Sequence, residues 1–339
     1  MPMPASLPRF EPCGALLADI GGTNARFALA SPDAAHPDIM AGSMRIHPVA
    51  GFASLAEAAS HYLAEMDAMP RRGVFAVAGP IEDGEARITN HPWTISATDM
   101  RDALGLDEVE LVNDFTAQAM AVTALATGDT VSLGGAAWGG LEAGGDHTYA
   151  VLGAGTGLGV GGLLRRDGRY HPLQTEGGHS SFAPCNDEEI EVLRYLAGAF
   201  PRVSNERLLS GSGLVNLHRA LSHVHGRAPE VLEPRDITAR AAAGDPACLH
   251  SIEVFCAIFG AVAGDLALTL GAWDGVFLTG GLVPRLMPWL PGSAFRSRFE
   301  EKGRLAPALS RVPAIAVVHH QPGLLGAAAM SVATRARDR

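Results

Sequence analysis

Two short segments rich in glycine and threonine constrain this chain most strongly, because each lies between two apolar runs typical of β-strands. They are Asp19-Ile-Gly-Gly-Thr-Asn24 and Gly153-Ala-Gly-Thr-Gly-Leu-Gly159. Glycine lets the backbone turn tightly and leaves N–H groups open to an anion, and threonine adds a hydroxyl donor. When the segments are aligned, Gly21 matches Gly155, but only the first segment carries a carboxylate, Asp19. We therefore expect a duplicated scaffold with two phosphate-binding hairpins.

Neither segment matches a standard nucleotide-binding turn. Gly157–Gly162 has the G-x-G-x-x-G spacing of a dinucleotide-binding motif, which must open a helix. Residues 163–170 instead predict a strand, an Asp-Gly turn and a second strand. A Walker motif, G-x-x-x-x-G-K-[ST], is absent from the sequence. The two segments therefore favour nucleotide binding by hairpin loops.

The acidic residue of the first segment suggests a Mg-ATP site. We expect Asp19 to orient a metal-bound water, with Thr23 or Thr156 donating to phosphate oxygens. The alternative is that Asp19 only caps a turn, because aspartate before Gly-Gly is ordinary turn chemistry.

The order of predicted elements indicates an α/β fold with two domains. Strands alternate with helices up to about residue 125, and the pattern partly restarts after residue 130. This repetition favours two domains with a ligand cleft between them. We assign 14–125 to a small domain that a C-terminal helix within 320–339 completes, 126–319 to a large domain and 1–13 to a disordered tail.

Composition and charge narrow the class of protein. The 339 residues carry a net charge of -10 with only 26 Lys and Arg, which argues against a nucleic-acid surface and favours small-molecule partners. The four cysteines include no C-x-x-C pair, so we expect neither disulfides nor a four-cysteine zinc site, and a cytoplasmic location. Residues 1–13 lack the features of a secretion signal. The apolar stretch 254–264 is too short to span a bilayer, so no membrane partner is expected.

Asn113-Asp114 stands between a predicted strand and a predicted helix. It is interpreted either as a helix cap or as the location of a general base. In phosphoryl transfer the acceptor hydroxyl loses its proton late, so an ordinary ionised carboxylate such as Asp114 suffices as the base.

Further polar and glycine residues suggest a ligand site in the second half of the chain. Isolated Glu176, His179 and Glu206 are typical of solvated surface, yet carboxylates also bind the vicinal hydroxyls of a polyol well. Gly280-Gly281 follows a predicted strand and permits either the close approach of a flat ring or a tight turn into a helix.

Several ordered motifs between about residue 14 and residue 333 together resemble the bacterial glucokinase family of the ATP-dependent, non-zinc type. The motifs are Leu17-Ala-Asp-Ile-Gly-Gly-Thr-Asn-Ala-Arg-Phe-Ala28, Thr89-Asn-His-Pro-Trp93, Val112-Asn-Asp-Phe-Thr-Ala117, Gly153-Ala-Gly-Thr-Gly-Leu-Gly159, Glu176-Gly-Gly-His179 and Phe277-Leu-Thr-Gly-Gly-Leu-Val-Pro-Arg285. Two positions depart from the family pattern: Ser181 stands where aspartate is common, and Ser212 where proline is frequent. These departures affect the surroundings of the predicted sugar pocket.

The resemblance implies an actin-like, hexokinase-type fold of two ribonuclease-H-like domains that phosphorylates glucose at O6 with ATP and Mg2+. It implies Asp114 as the base, which also contacts glucose. The other residues it assigns to glucose are Asn113, Glu176, His179, Glu206 and, less directly, Asn90. Those it assigns to ATP are Ala18, Asp19, Ile20, Gly21, Gly22, Thr23, Gly155, Thr156, Gly157, Gly280 and Gly281, with Asp19 also holding Mg2+ through water. It further implies a homodimer.

Three alternative functions stay open. A kinase of mannose, fructose or an N-acetylated sugar would use the same chemistry and differ only in pocket contacts. A sugar-sensing regulator would need a DNA-binding segment, for which only about thirteen proline-rich residues precede the first predicted strand. A non-catalytic ATPase module would leave the polyol-binding residues unexplained.

Overall fold

The apolar runs of the sequence form strands and helices that separate into two units in a computed structural model of the chain. The structure describes residues 13–32, 37–88, 93–141, 144–228 and 230–335. Unit 1 comprises the described residues up to Leu125 together with those from His320 onwards, and unit 2 comprises Ala126–His319. The predicted tail 1–13, except Cys13, and the predicted sugar residue Asn90 lie outside the described residues.

The strands predicted from apolar runs are confirmed. The strands are β1 (Leu16–Ile20), β2 (Asn24–Leu29), β3 (Arg45–Pro48), β4 (Arg72–Val77), β5 (Ile81–Glu82), β6 (Glu85–Arg87), β7 (Thr94–Ser96), β8 (Glu108–Asn113), β9 (Thr130–Ser132), β10 (His147–Ala154), β11 (Leu158–Arg166), β12 (Arg169–Thr175), β13 (Gly275–Thr279) and β14 (Ala314–Val317). Strands β5, β6 and β7 form a small sheet of their own, which the sequence did not predict.

The helices predicted from the sequence are also confirmed, including α8 after the turn expected at Gly280-Gly281, whereas α6, α9 and α10 were not predicted. The helices are α1 (Leu55–Met66), α2 (Ala97–Leu104), α3 (Asp114–Ala121), α4 (Asp187–Ala197), α5 (Gly211–Val224), α6 (Pro234–Ala242), α7 (Pro246–Leu270), α8 (Val283–Leu286), α9 (Phe295–Glu300), α10 (Ala306–Leu309) and α11 (Pro322–Arg335). Short 3-10 helices, among them Gly177–His179 and Asn205–Arg207, connect several of these elements.

The main sheet of unit 1 has the strand order β3-β2-β1-β4-β8. Strand β1 pairs antiparallel with β2 and parallel with β4, which pairs parallel with β8. Side chains of successive strand residues point to opposite faces of the sheet. Leu16 packs accordingly in a cluster with Tyr62 of α1, while Leu17 packs in another with Leu324 of α11. Apolar helices therefore cover both faces of this sheet.

Unit 2 repeats this arrangement. Its sheet has the order β12-β11-β10-β13-β14-β9, and its first five strands match those of unit 1 in order and in direction. Each glycine- and threonine-rich segment joins the equivalent pair of antiparallel strands in its sheet, β1 to β2 and β10 to β11. The expected duplicated scaffold with two hairpin loops is thus confirmed.

The most apolar helix, α7, is also the longest, with 25 residues. By length and composition alone it is long and apolar enough to cross a membrane. The apolar stretch recognised in the sequence, 254–264, covers only its central part. Of its most apolar 18-residue window, 67% is buried inside the structure. Its apolar side chains are therefore used for packing, for example Phe255 and Phe259 in the core of unit 2.

A close crossing of α3 and α11 fixes the position of α3 in unit 1. A Cβ atom added to Gly326 of α11 would lie 1.7 Å from the backbone oxygen of Ala117 in α3. A residue with a Cβ atom would clash at this position, so the two helix backbones can come this close only because residue 326 is glycine.

We expect Gly326→Ala to destabilise the protein by roughly 1–3 kcal/mol, because overpacking outweighs the better helix propensity of alanine. Urea denaturation followed by circular dichroism measures this loss. Gly128→Ala is the control, since no described atom lies within 4 Å of a Cβ there. Equal stability of the two variants would contradict the proposed role of the crossing.

Candidate active site

The first loop, Gly21–Thr23, joins β1 to β2 in unit 1. It is closed by a hydrogen bond from the N–H of Gly21 to the oxygen of Asn24 (3.0 Å), and the oxygen of Thr23 accepts from the N–H of Val49 (2.9 Å). Gly22 and Thr23 are exposed. The loop is therefore held at both ends while its tip faces solvent, as binding an anion requires.

Asp19 lies one residue before the end of β1, directly opposite Arg26 of β2. The Nη1 atom of Arg26 is 3.4 Å from the Asp19 carboxylate, and the Asp19 side chain is 22% exposed. A Cβ atom at Gly323, the second residue of α11, would lie 2.9 Å from Cγ of Asp19. Burial raises the pKa of Asp19 above its ordinary value, and Arg26 opposes this shift. Asp19 is thus a half-shielded carboxylate in close contact with the first turn of α11.

Asn113 and Asp114 lie at the same edge of the sheet as Asp19. Ile20, Val77 and Asn113 are aligned across the parallel strands β1, β4 and β8, and ligands of α/β sheets bind at such carboxyl ends. The Asn113 side chain accepts from the N–H groups of Phe115 (2.9 Å) and Thr116 (3.3 Å), so the helix-cap interpretation is confirmed for Asn113. Asp114 is the first residue of α3 and is half-buried.

The second loop, Gly155–Gly157, joins β10 to β11 in unit 2 and contacts the segment that carries Glu206. The oxygen of Gly155 accepts from the N–H of Gly211 (2.8 Å), at the start of α5. A carboxylate oxygen of Glu206 accepts from the N–H of Leu158 (3.0 Å). A Cβ atom on Gly157 would lie 2.5 Å from that oxygen. Glu206 therefore fixes the loop, a role that the sequence did not predict.

Gly280 and Gly281 follow β13, which runs parallel to β10. Gly280 has φ +92°, and its Cβ would lie 2.4 Å from the oxygen of Ala154. That oxygen also accepts from the N–H of Leu282 (3.0 Å). The tight turn is confirmed, and it lies beside the second loop.

We expect Gly280→Ala to lower stability by about 1–3 kcal/mol, because alanine is strained at positive φ and its Cβ meets the Ala154 oxygen. Gly281→Ala is the matched neighbour, since no described atom comes within 4 Å of its Cβ. Thermal unfolding of both variants measures the difference. A loss of stability in Gly281→Ala equal to that in Gly280→Ala would contradict this account.

Glu176 precedes the short 3-10 helix that follows β12, and His179 is the last residue of that helix. Their side chains are 82% and 60% exposed, with 3.9 Å between the carboxylate and Nε2. A Cβ on Gly178 would lie 1.9 Å from the oxygen of Leu158, so this helix rests on the start of β11. Asn205 donates to the Ser180 oxygen from its N–H and to the Ser180 hydroxyl from its side chain (both 2.9 Å). The structure thus joins the segments of Glu176, His179 and Glu206 at one end of the unit 2 sheet.

The two departures from the family pattern have local partners. The Ser181 hydroxyl accepts from the Arg202 guanidinium (3.3 Å), and the hydroxyls of Ser212 and Ser210 are 3.2 Å apart. Neither serine replaces a group with a predicted catalytic role.

The cysteines are all free. Burial raises the pKa of Cys248 to about 11 and that of Cys256 to about 12, so these two stay protonated. A thiol in this state is a poor metal ligand.

Comparison with known proteins places the chain in a family. The glucokinase family model matches residues 16–334. Glucokinase of Stenotrophomonas maltophilia (strain R551-3) is 56% identical over 314 residues, which cover 93% of each chain. Among solved structures, glucokinase from an Antarctic psychrotroph has a TM-score of 0.83 and 36% identity, with 93% of this chain and 98% of that chain covered.

A more distant structure shares only the fold. It is a ROK family glucokinase from Streptomyces griseus in complex with glucose and AMPPNP, with a TM-score of 0.62, 20% identity, and 93% of this chain and 98% of that chain covered. The fold is therefore the actin-like ATPase fold of sugar kinases, and the chain belongs to the glucokinase family.

Proposed function

We propose that this hexose kinase transfers the γ-phosphoryl group of ATP to O6 of D-glucose, giving glucose 6-phosphate and ADP. The observation that carries the proposal is the position of Asp114, at the carboxyl end of β8 and on the sheet edge that also holds the Asp19 loop. In the reaction the O6 proton passes to Asp114, O6 bonds to the γ-phosphorus, and ADP leaves.

Helix α3 supports Asp114 as the base. Asn113 caps the helix and leaves Asp114 at its first position, where the helix dipole favours the ionised carboxylate. Because the acceptor proton is lost late in phosphoryl transfer, the base needs no raised pKa, only a fixed position near the hydroxyl.

We assign glucose hydroxyls to Glu176, His179 and Glu206 in unit 2, and to Asn113 and Asp114 in unit 1. The exposed pair Glu176 and His179 offers an acceptor and a donor 3.9 Å apart. One oxygen of Glu206 holds Leu158, so the other is the one assigned to the sugar. The Asn113 oxygen caps α3, and its Nδ2 group donates one hydrogen bond to the Gly79 oxygen (3.3 Å), so its second N–H is the one assigned to the sugar. Asn90 is also assigned to glucose, on the basis of the family motif Thr89-Asn-His-Pro-Trp93.

ATP phosphates are assigned to two segments, Ala18–Thr23 in unit 1 and Gly155–Gly157 in unit 2, which include Ile20, Gly21, Gly22 and Thr156. Gly280 and Gly281, beside the second loop, are assigned to adenosine. Because a Cβ on Gly281 meets no described atom within 4 Å, Gly281→Ala should change the contact with ATP without affecting folding. It should raise the KM for ATP while leaving the KM for glucose and the melting temperature unchanged.

The carboxylate of Asp19 suits Mg2+ held through water. Mg2+ prefers oxygen ligands and keeps several of its waters, and a half-shielded carboxylate beside a phosphate loop offers such a contact. When bound, the ion neutralises charge on the phosphates. Arg26 and the first turn of α11 orient the Asp19 carboxylate for this contact.

A sugar panel tests the proposed substrate. Purified protein with Mg-ATP is offered glucose, mannose, fructose, N-acetylglucosamine and N-acetylmannosamine, and ADP release is followed by a coupled assay. We expect glucose to give the highest kcat/KM. A higher value for any other sugar would replace glucose as the substrate.

We further propose a cytoplasmic homodimer that binds neither nucleic acid nor membrane. Use of ATP and the free cysteines support the location, the net charge of -10 opposes nucleic-acid binding, and the family resemblance supports the dimer. Sedimentation equilibrium measures the mass, for which a single 35.3 kDa species would contradict the dimer.

A further inference from the structure

Three helices of unit 2 bring together two histidines and a glutamate, none of which is assigned above to glucose or ATP. Glu188 is the second residue of α4, His225 follows the last residue of α5, and His250 is the fifth residue of α7. One oxygen of Glu188 lies 2.9 Å from Nε2 of His225 and 2.8 Å from Nε2 of His250. We propose that these three side chains form a binding site for a divalent transition-metal ion, with Zn2+ as the best match.

The ligand atoms converge on one point. The carboxylate oxygen and a nitrogen of each ring all lie within 4.8 Å of one another, and the two rings meet edge to face at 5.4 Å. Tetrahedral zinc with bonds of about 2.0–2.1 Å separates its ligand atoms by about 3.3 Å. Small side-chain rotations therefore suffice to admit the ion.

The surroundings of His250 favour a cation at its Nε2 atom. Nδ1 of this ring lies 3.7 Å from a carboxylate oxygen of Glu253, so a carboxylate faces each ring nitrogen. A neutral imidazole carries one N–H and would turn a lone pair towards one of the two carboxylates, whereas a doubly protonated or a metal-bound ring would not. With a metal ion at Nε2, the Nδ1–H group points to Glu253, the outer carboxylate arrangement typical of zinc-bound histidine.

The helix ends that carry the ligands are fixed. Asn186 caps α4, and Asp245 caps α7 by accepting from the N–H groups of Ala247 (2.9 Å) and Cys248 (3.0 Å). Glu189, next to Glu188, is 1% exposed and pairs with both terminal nitrogens of Arg298 (2.7 and 3.1 Å). The site is therefore held in place before a metal ion binds.

The donor set selects the class of ion. Two imidazoles and one carboxylate suit Zn2+, Co2+, Ni2+ and Cu2+, whereas Mg2+ and Ca2+ prefer oxygen ligands alone. The three ligand side chains are 29–40% exposed, which leaves room for a water as the fourth ligand. Because the ligands come from α4, α5 and α7, bound metal would fasten these helices to one another.

The test uses full-length protein freed of metal by a chelator, in a Cys185→Ala background because that thiol is exposed. Titration with Co2+ should give one bound ion per chain with visible d–d absorption. Zn2+ should displace this ion and, at a hundredfold excess over its Kd, raise the melting temperature by about 4 °C.

Two variants identify the ligands. His225→Ala/His250→Ala should weaken Co2+ binding at least about a hundredfold and abolish the zinc-dependent thermal shift. Glu188→Gln, which keeps the shape of the side chain, should also weaken binding. His223→Ala removes an exposed imidazole of α5 that packs at a tilt against the Tyr195 ring, and this variant should bind Co2+ normally. Unchanged Co2+ binding in the double variant, or no bound ion in the parent protein, would overturn the proposal.

Discussion

Asp114→Asn is expected to lower kcat for glucose phosphorylation by about 10²–10⁴-fold, the contribution typical of a positioned general base. Asparagine keeps the size of the side chain and its place at the first position of α3, but it cannot accept the O6 proton. Glucose binding, measured by calorimetry, should remain detectable, because Glu176, His179 and Glu206 of unit 2 are unchanged.

The chain offers a matched control for this substitution. Asn186 and Asp187 begin α4 as Asn113 and Asp114 begin α3, with asparagine as the cap and aspartate as the first residue. Asp187→Asn therefore removes the same helix-dipole interaction, worth about 0.3–1 kcal/mol, without touching the site. It should leave kcat unchanged. Near-normal turnover of Asp114→Asn would remove Asp114 from the role of base.

Gly323→Ala is expected to lower kcat by about 10–100-fold while the protein stays folded. The new Cβ would lie 2.9 Å from Cγ of Asp19, so the carboxylate must shift, and small misplacements at a reacting centre are costly. Alanine favours a helix over glycine by about 1 kcal/mol, so the backbone of α11 does not oppose the change. Loss of activity without loss of stability is the signature of this position.

A double-mutant cycle with Asp19→Ala tests whether Gly323 acts through Asp19. If it does, Gly323→Ala has little further effect on kcat once the Asp19 carboxylate is gone. Gly128→Ala serves as the control, because no described atom lies within 4 Å of its Cβ. Additive losses of activity would show that Gly323 acts by another route.

Much of the fold was predictable because its signals are local. Continuous apolar runs identified β1 and β10, and the glycine-rich segments after them identified the two hairpin loops. The small sheet was missed because β5 has two residues and β6 and β7 have three each, too few for a periodic pattern. The four-residue helix α10 was missed for the same reason, whereas α8 follows the turn expected at Gly280-Gly281.

The residues of the candidate site were predictable by motif, but several of their contacts were not. Glu206 stood out as an acidic residue, yet its bond to the N–H of Leu158 joins positions 48 residues apart. Gly323 looks in the sequence like any glycine at the start of a helix, and only the folded chain brings it against Asp19. Glu188 and His250 are 62 residues apart, and no spacing rule connects them.

Identification of the product tests whether the protein phosphorylates glucose at O6. Glucose labelled with ¹³C at C6 is incubated with the protein and Mg-ATP, and the product is examined by ¹³C and ³¹P nuclear magnetic resonance. We expect coupling between the labelled carbon and phosphorus in the wild-type reaction, and slower formation of the same product by Asp114→Asn, by the factor given above for kcat. A phosphate on another hydroxyl, or ADP formed without any sugar phosphate, would contradict this expectation.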